Sequence, residues 1–149
     1  MTVYNFTNGT IDGQMIPPDM EILTDRPTIL RNILDFSKQD LEAGVPDSAI
    51  ALNVPAGTLV LECGLRIITA ETGDGTVDLG ITGGNVDQWG DALAVDTAAG
   101  AMLNIAAVPV FFADAGTIQI LATTDTADID IDGLKCEVWA LCMKMVDVY

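Results

Sequence analysis

The sequence predicts an all-β fold, an antiparallel β-sandwich or barrel preceded by an extended N-terminal arm. Three observations predict it. Short apolar runs with period-two alternation recur along most of the chain. Fourteen glycines, with Asp and Asn, punctuate those runs as turn residues do. Half of the 149 residues are hydrophobic while only 5% are aromatic, so the core is drawn from Ala, Val, Ile and Leu. A chain of this length and apolar content buries a core without metal or disulfide staples, and one domain is expected over residues 25–149, after an arm over residues 1–24.

The arm holds Tyr4, Phe6, Ile11, Met15 and Ile16 among Asn, Gly, Thr and the Pro17-Pro18 pair, with neither helical nor strand periodicity. Such an arm is either floppy or ordered by lying on another subunit or partner; five large apolar side chains are more than a solvated tail usually carries. Over residues 27–36, Ile29, Leu30, Ile33 and Leu34 follow a helical spacing after a candidate cap at Asp25. Periodicity predicts a short helix there, although a fully buried strand of this length has the same pattern.

From residue 49 the period is two. Ile50, Leu52 and Val54 face one way, and Ala49, Ala51 and Asn53 the other. Pro55-Ala56-Gly57 makes a turn. Residues 58–69 then place Leu59, Leu61, Cys63, Leu65 and Ile67 on one face, with Thr58, Glu62, Gly64 and Arg66 opposite. Thr72-Gly73-Asp74-Gly75 carries the Asp-Gly signature of a hairpin, with Val77, Leu79 and Ile81 continuing the inward face on the returning strand. Further strands are expected near residues 92–95, 102–105, 108–112 and 117–123, at the spacing of sandwiches and barrels.

The last strand, over residues 134–146, changes character midway. Leu134, Cys136, Val138, Ala140 and Cys142 make an unbroken apolar face, whereas the opposite face runs Lys135 and Glu137, then Trp139, Leu141, Met143 and Met145. One face of a strand in a monomeric sandwich normally meets water. Trp139, Leu141, Met143 and Met145 are therefore expected to be covered by another subunit, a partner or the arm.

Six Lys and Arg against 22 Asp and Glu leave a formal charge of −16. The scattered cations form no basic patch, which argues against direct nucleic-acid binding. So acidic a chain repels acidic surfaces, and a partner patch should be basic or apolar. No cationic start leads into an apolar run, so neither a secretory signal nor a membrane anchor is expected, and the interrupted apolar stretch over residues 101–113 is too short to span a bilayer. The odd three cysteines include Cys136 and Cys142, which would lie about 20 Å apart on one strand. They read as free buried thiols acting as small hydrophobes.

The sequence has no histidine, which removes Ser-His and Cys-His pairs and every His-containing metal site. Neither Ser37 nor Ser48 sits in a Gly-x-Ser-x-Gly elbow. Paired carboxylates of a glycosidase would want a cleft lined with aromatics, which are scarce here. Gly80 to Gly84 lacks the Gly-Lys-Ser/Thr ending of a phosphate loop. No catalytic residue and no cofactor are expected, and the chain reads as a non-enzyme.

Asp128-Ile129-Asp130-Ile131-Asp132-Gly133 matches the first half of an EF-hand loop, making Asp128, Asp130 and Asp132 weak metal candidates. The twelfth position is Trp139 where a bidentate Glu belongs, and the flanks read as strands. An Asp-rich hairpin turning at Asp132-Gly133 is the favoured reading. Trp89 is either an end plug, with its N–H bonded to a loop, or a sugar-stacking or interface residue; the plug is preferred. A carbohydrate-binding or fibre and tail adaptor domain, with Trp89 and the 128–132 loop as its site, is the alternative function, and a calcium or small-ligand β-domain is a further rival.

The string Leu52-Asn53-Val54-Pro55-Ala56-Gly57-Thr58-Leu59-Val60, with Gly64-Leu65-Arg66 behind it, resembles small virion structural proteins of tailed bacteriophages. Val77-Asp78-Leu79-Gly80-Ile81, Asp87-Gln88-Trp89 and the Thr117-Ile118 strand look like the same group, and the likeness covers residues 47–146. It implies a jelly-roll-like sandwich of the head decoration or cement type. Such a protein, made in the host cytoplasm, would sit on the outer capsid surface of the virion, often as a homotrimer, cementing neighbouring copies of the major capsid protein. It also implies a strand over residues 31–38, against the periodicity. The arm has no counterpart in the pattern, and no catalytic residue carries over.

Overall fold

Period-two alternation becomes strand throughout the domain. The computed structural model describes residues 3–5, 10–11, 14–15, 26–42, 47–104, 108–123 and 130–145. Twelve strands lie in these stretches: β1 (Val3–Asn5), β2 (Thr10–Ile11), β3 (Gln14–Met15), β4 (Thr28–Asp35), β5 (Ser48–Val54), β6 (Thr58–Thr69), β7 (Thr76–Ile81), β8 (Gly90–Ala94), β9 (Met102–Leu103), β10 (Val110–Phe112), β11 (Gly116–Thr123) and β12 (Lys135–Lys144). One sheet has the order β1-β5-β11-β7-β8; the second has the order β10-β6-β12-β4, with β9 also on β6. β2 and β3 pair with each other in an antiparallel hairpin. Every pairing in the two large sheets is antiparallel except β1 on β5.

The strand order is that of a jelly roll. Counting β4, β5, β6, β7, β8, β10, β11 and β12 as first to eighth, one sheet reads sixth-third-eighth-first and the other second-seventh-fourth-fifth. Two Greek keys give this arrangement. Leu34 of β4, Leu65 of β6 and Val138 of β12 meet Ile120 of β11 and Leu79 of β7 in one core, all fully buried.

Residues 28–35 form a strand, which corrects the helix that periodicity predicts; the strand implied by the resemblance over residues 31–38 is met only as far as Asp35, since residues 36–38 turn. In β4, Leu30, Asn32 and Leu34 are buried while Ile29, Arg31 and Ile33 are exposed. The two outward isoleucines fill the gaps of a strict alternation and imitate a helical stripe.

The expected hairpin between β6 and β7 does not form. The two strands lie in different sheets, and the turn over residues 72–75 carries the chain across the sandwich. An Asp-Gly turn fixes a local reversal, but burial on both sides decides which sheet each arm joins.

The predicted faces of β5 and β6 are corrected by bulges. Along β12, Leu141 pairs with Glu62 and Cys142 with Val60, leaving Leu61 as the extra residue. N-terminal to Leu61 the phase inverts, so Thr58 and Val60 are buried and Leu59 turns outward. In β5, Ile118 pairs with Leu52 and Gln119 with Ile50, leaving Ala51 extra and putting Ala49 on the inward face. Asn32 crosses from the opposite sheet, and its Nδ2 donates to the carbonyl oxygen of Ala51 at 3.0 Å.

The Asp132-Gly133 hairpin is corrected as well. Ile131 pairs with Leu41 across an isolated bridge, and the amide of Phe36 donates to the carbonyl of Leu134 at 2.9 Å, so residues 131–134 prolong the β4-β12 ladder. Glu71, only 5% exposed, fixes this stretch. Its Oε2 accepts the amides of Asp132, Gly133 and Leu134 at 3.0, 2.9 and 3.1 Å. Burial raises the Glu71 pKa, but the amides of Gly133, Thr72, Asp132 and Leu134 outweigh it and the net shift is downward.

Candidate interaction surface

β12 positions the surface, because from Lys135 to Met143 its odd residues point away from the core while Cys136, Val138, Ala140 and Cys142 point into it. Its neighbours extend that outward face in cross-strand rows. Met102, Arg66, Glu137 and Ile33 form one row; Gly64, Trp139 and Arg31 form the next. Glu62, Leu141 and Ile29 follow, and beyond the bulge at Leu61 come Phe111, Leu59 and Met143. Ile29, Ile33, Met102 and Phe111 are 52%, 42%, 55% and 53% exposed. Large apolar side chains exposed side by side are uncommon on a soluble monomer.

Gly64 allows the indole to lie on the sheet. A Cβ at Gly64 would stand 2.8 Å from Cζ2 of Trp139 and 3.1 Å from the Leu103 carbonyl oxygen, so only glycine fits under the ring. The indole N–H of Trp139 is buried and has no hydrogen-bond partner among the described residues. Trp139, Leu141 and Met143 are half-buried on this face, and Met145, past the end of β12, is 43% exposed.

Polar groups rim the apolar rows. Arg66 Nε lies 3.4 Å from Glu137 Oε1, and Asn104 Nδ2 donates to Glu62 Oε1 at 2.7 Å. Lys135 Nζ is 3.8 Å from Asp35 Oδ2. The Ser37 hydroxyl, at 2.6 Å from Asp35 Oδ1, leads the groups that hold the Asp35 carboxyl below its usual range. The Lys144 ammonium donates to the Ala56 carbonyl. Arg31 is exposed and stands opposite Trp139 on β12.

Of the arm residues, Tyr4, Ile11 and Met15 fall on β1, β2 and β3, whose backbone pairing is described while their side chains are not; Phe6 and Ile16 lie outside the described residues. β1 adds to the β5 edge, Val3 opposite Ser48 and Asn5 opposite Ile50. The arm and the β12 face are thus not brought together by any described side-chain contact. Sequence reasoning missed Ile29, Arg31, Ile33, Leu59 and Phe111 on this surface. A strand reading of residues 28–35 would have found the first three.

Trp89 is fully buried, and its Nε1 donates to the Val108 carbonyl oxygen at 2.9 Å. It is an end plug with no ring face for a sugar, which removes it from the carbohydrate site. Asp130 and Asp132 are exposed, Asp128 lies outside the described residues, and no cluster of three metal-ligating side chains occurs among the described residues. Cys63, Cys136 and Cys142 are free and buried. Burial pushes the thiols up, to about 12 for Cys136 and about 11 for Cys142.

Solved structures that share this architecture include chains from phage particles. A chain of the capsid of Ralstonia phage GP4 matches with a TM-score of 0.63 at 14% identity, over 98% of this chain and 100% of that one. A chain of the cyanophage Pam1 capsid asymmetric unit matches with a TM-score of 0.58 at 15% identity, over 90% of this chain and 95% of that one. At such identities the likeness is one of fold. No protein-family model and no curated protein matches the sequence.

Proposed function

We propose that this chain is a structural protein of a bacteriophage virion, a decoration or cement protein bound to the outer surface of the head. The observation that carries the reading is the end-to-end likeness to a chain resolved in a phage capsid, 98% of this chain against 100% of that one. The half-apolar outer face of β12 supports it, because a shell protein works by surface. Its partners are the major capsid protein and copies of itself, a trimer being favoured, with neither nucleic acid nor membrane. The contact residues are Trp139, Leu141, Met143 and Met145 on one side and Tyr4, Phe6, Ile11, Met15 and Ile16 of the arm on the other.

The mechanism is burial across subunits. At about 25 cal/mol per Å² of apolar surface, a contact of roughly 1,600 Å² resists expansion of the shell after ordering costs are offset. No catalytic step and no cofactor enter.

The test mixes the purified chain with phage heads stripped of it, pellets the heads, and heats them with and without the chain. Saturable co-sedimentation and a higher disruption temperature are expected. A chain that stays in the supernatant at micromolar concentration would overturn the proposal.

A further inference from the structure

We infer that the outer face of the β10-β6-β12-β4 sheet packs against the same face of a second copy, about a twofold axis over β12 that sets Arg31 of each copy against Glu62 of the other. The inference rests on the reading of the chain as an assembling shell protein and names what covers the Trp139 side of the sheet. Such a contact joins copies in pairs, and on a shell decorated with trimers it links one trimer to the next.

The first support is what a second copy has to offer. Ile29, Ile33, Met102 and Phe111 are exposed on this face, whereas among the described residues no exposed large hydrophobic side chain belongs to a strand of the other sheet. Apolar cover for this face from another copy therefore comes from the same face. Charge selects the same pairing. The strands of this sheet hold Arg31, Arg66, Lys135 and Lys144 against Asp35, Glu62 and Glu137, which is close to balance. The strands of the other sheet hold Asp78 and Asp91 and no cation. In a chain with a formal charge of −16, two copies meet with least repulsion on the balanced sheet.

The second support is the placing of two charges. Ion pairs within the chain join Arg66 to Glu137 and Lys135 to Asp35. Arg31 and Glu62 stand outside those pairs and on opposite sides of β12, Arg31 opposite Trp139 on β4 and Glu62 opposite Leu141 on β6. Asn104 Nδ2 donates to Oε1 of Glu62 at 2.7 Å, and a carboxylate has lone pairs for a further donor. The point midway between the two charges falls on β12 between Trp139 and Leu141. A twofold axis through it, lying in the plane of the contact, brings each Arg31 to the Glu62 of the other copy and stacks Trp139, Leu141 and Ile29 of both copies between the two pairs. An isologous contact requires self-complementarity of this kind. Four strands about 4.8 Å apart and roughly eight residues long give each copy a face of roughly 500 Å². Two such faces reach only the lower bound of about 1,000 Å² for a specific interface, so the pair is an equilibrium dimer in the micromolar range.

Exchange of the two charges tests the geometry. Sedimentation equilibrium of the unaltered chain, from micromolar concentration up to about 1 mM, should show association through this contact. Arg31→Glu sets Glu against Glu62, and Glu62→Arg sets Arg against Arg31; each change made singly should weaken the association at least about 10-fold. The two changes made together in one chain should restore it. Mixing the two single variants should give a one-to-one heterodimer, because both cross-pairs are then of opposite sign. Trp139→Lys should abolish association in every background. Circular dichroism checks that each chain is folded.

A chain that is monomeric at the highest concentration would overturn the inference. So would an assembly that the single changes leave intact, or single variants whose loss is recovered neither in the double variant nor on mixing. If the monomer binds heads and Trp139→Lys abolishes that binding, a different shell protein covers the face; the inference falls and the decoration role stands. If the pair forms as described and ignores heads, the inference stands and the decoration role falls.

Discussion

Oε2 of Glu71 lies 2.9 Å from the amide nitrogen of Gly133, 62 residues further along the chain. With the neighbouring amides of Asp132 and Leu134 it makes one carboxylate the anchor of the segment that leads into β12.

Glu71→Gln should therefore destabilise the fold by about 2 kcal/mol at neutral pH, since hydrogen bonds to an ionised acceptor are among the stronger ones. The folded-state pKa lies below the ordinary 4.5, so this stabilisation is complete above that value and is lost as pH falls through the folded pKa. Urea denaturation of both proteins from pH 7 down to pH 3 should show the difference in midpoint closing on the acid side. A constant gap would mean that shape, not charge, is what Glu71 contributes.

Asp78 carries the opposite sign. It is buried, its Oδ1 accepts the Ala92 amide at 2.8 Å, and burial, with Asp91 and Asp87 nearby, raises its pKa. A raised carboxyl pKa makes the folded state bind protons more readily than the unfolded state, so stability rises as pH falls through that region. Asp78→Asn keeps an acceptor for Ala92 and removes the buried charge. It should raise the thermal midpoint at pH 7, with the gain shrinking as the medium is acidified.

Ala92 itself sits at φ 49° in the β8 bulge opposite Asp78. Left-handed backbone is unfavourable for a residue with a Cβ, so Ala92→Gly should stabilise by about 0.5 kcal/mol after the greater freedom of unfolded Gly is counted. A lower denaturation midpoint would contradict this.

Gly80 and Gly83 give a contrast. A Cβ at Gly80 would meet the Val86 backbone at 2.2 Å, whereas nothing stands within 4 Å of one at Gly83, whose φ is +72°. Gly80→Ala should cost about 3 kcal/mol or prevent folding, and Gly83→Ala about 1 kcal/mol. Comparing soluble yield and denaturation midpoints checks the order.

The thiols should be silent in the folded chain. With Cys63, Cys136 and Cys142 buried and their pKa values raised, a thiol reagent at pH 8 should label none rapidly in native protein and all three in denaturant. Rapid native labelling at any one of them would show that its part of the core opens.

Strands were legible in the sequence and sheets were not. β6, β11 and β12 show because period-two alternation is a local property. The partners of β6 and β7 do not, since the Thr72–Gly75 turn looks the same whether the chain folds back or crosses the sandwich. The bulges at Ala51 and Leu61 lie inside unbroken apolar alternation and leave no mark. Trp139, Leu141 and Met143 could be placed on an outer face from β12 alone, whereas Arg31 was hidden by the helical look of Ile29 and Ile33. Glu71 gave no signal, because the three amides on its Oε2 are main-chain groups more than 60 residues away.

The place of β12 in its sheet sets the order of events during synthesis. β4 and β6 do not pair with each other; both pair with a strand that leaves the ribosome more than 60 residues after β6 is complete. Until then each holds an open edge of main-chain donors and acceptors, which is where misassociation starts. Contacts so distant along the chain make for slow folding, on the order of milliseconds to seconds. Nascent chains halted before residue 135 should accordingly stay protease-sensitive and crosslink to chaperones, and release should come only as the final strand closes the gap.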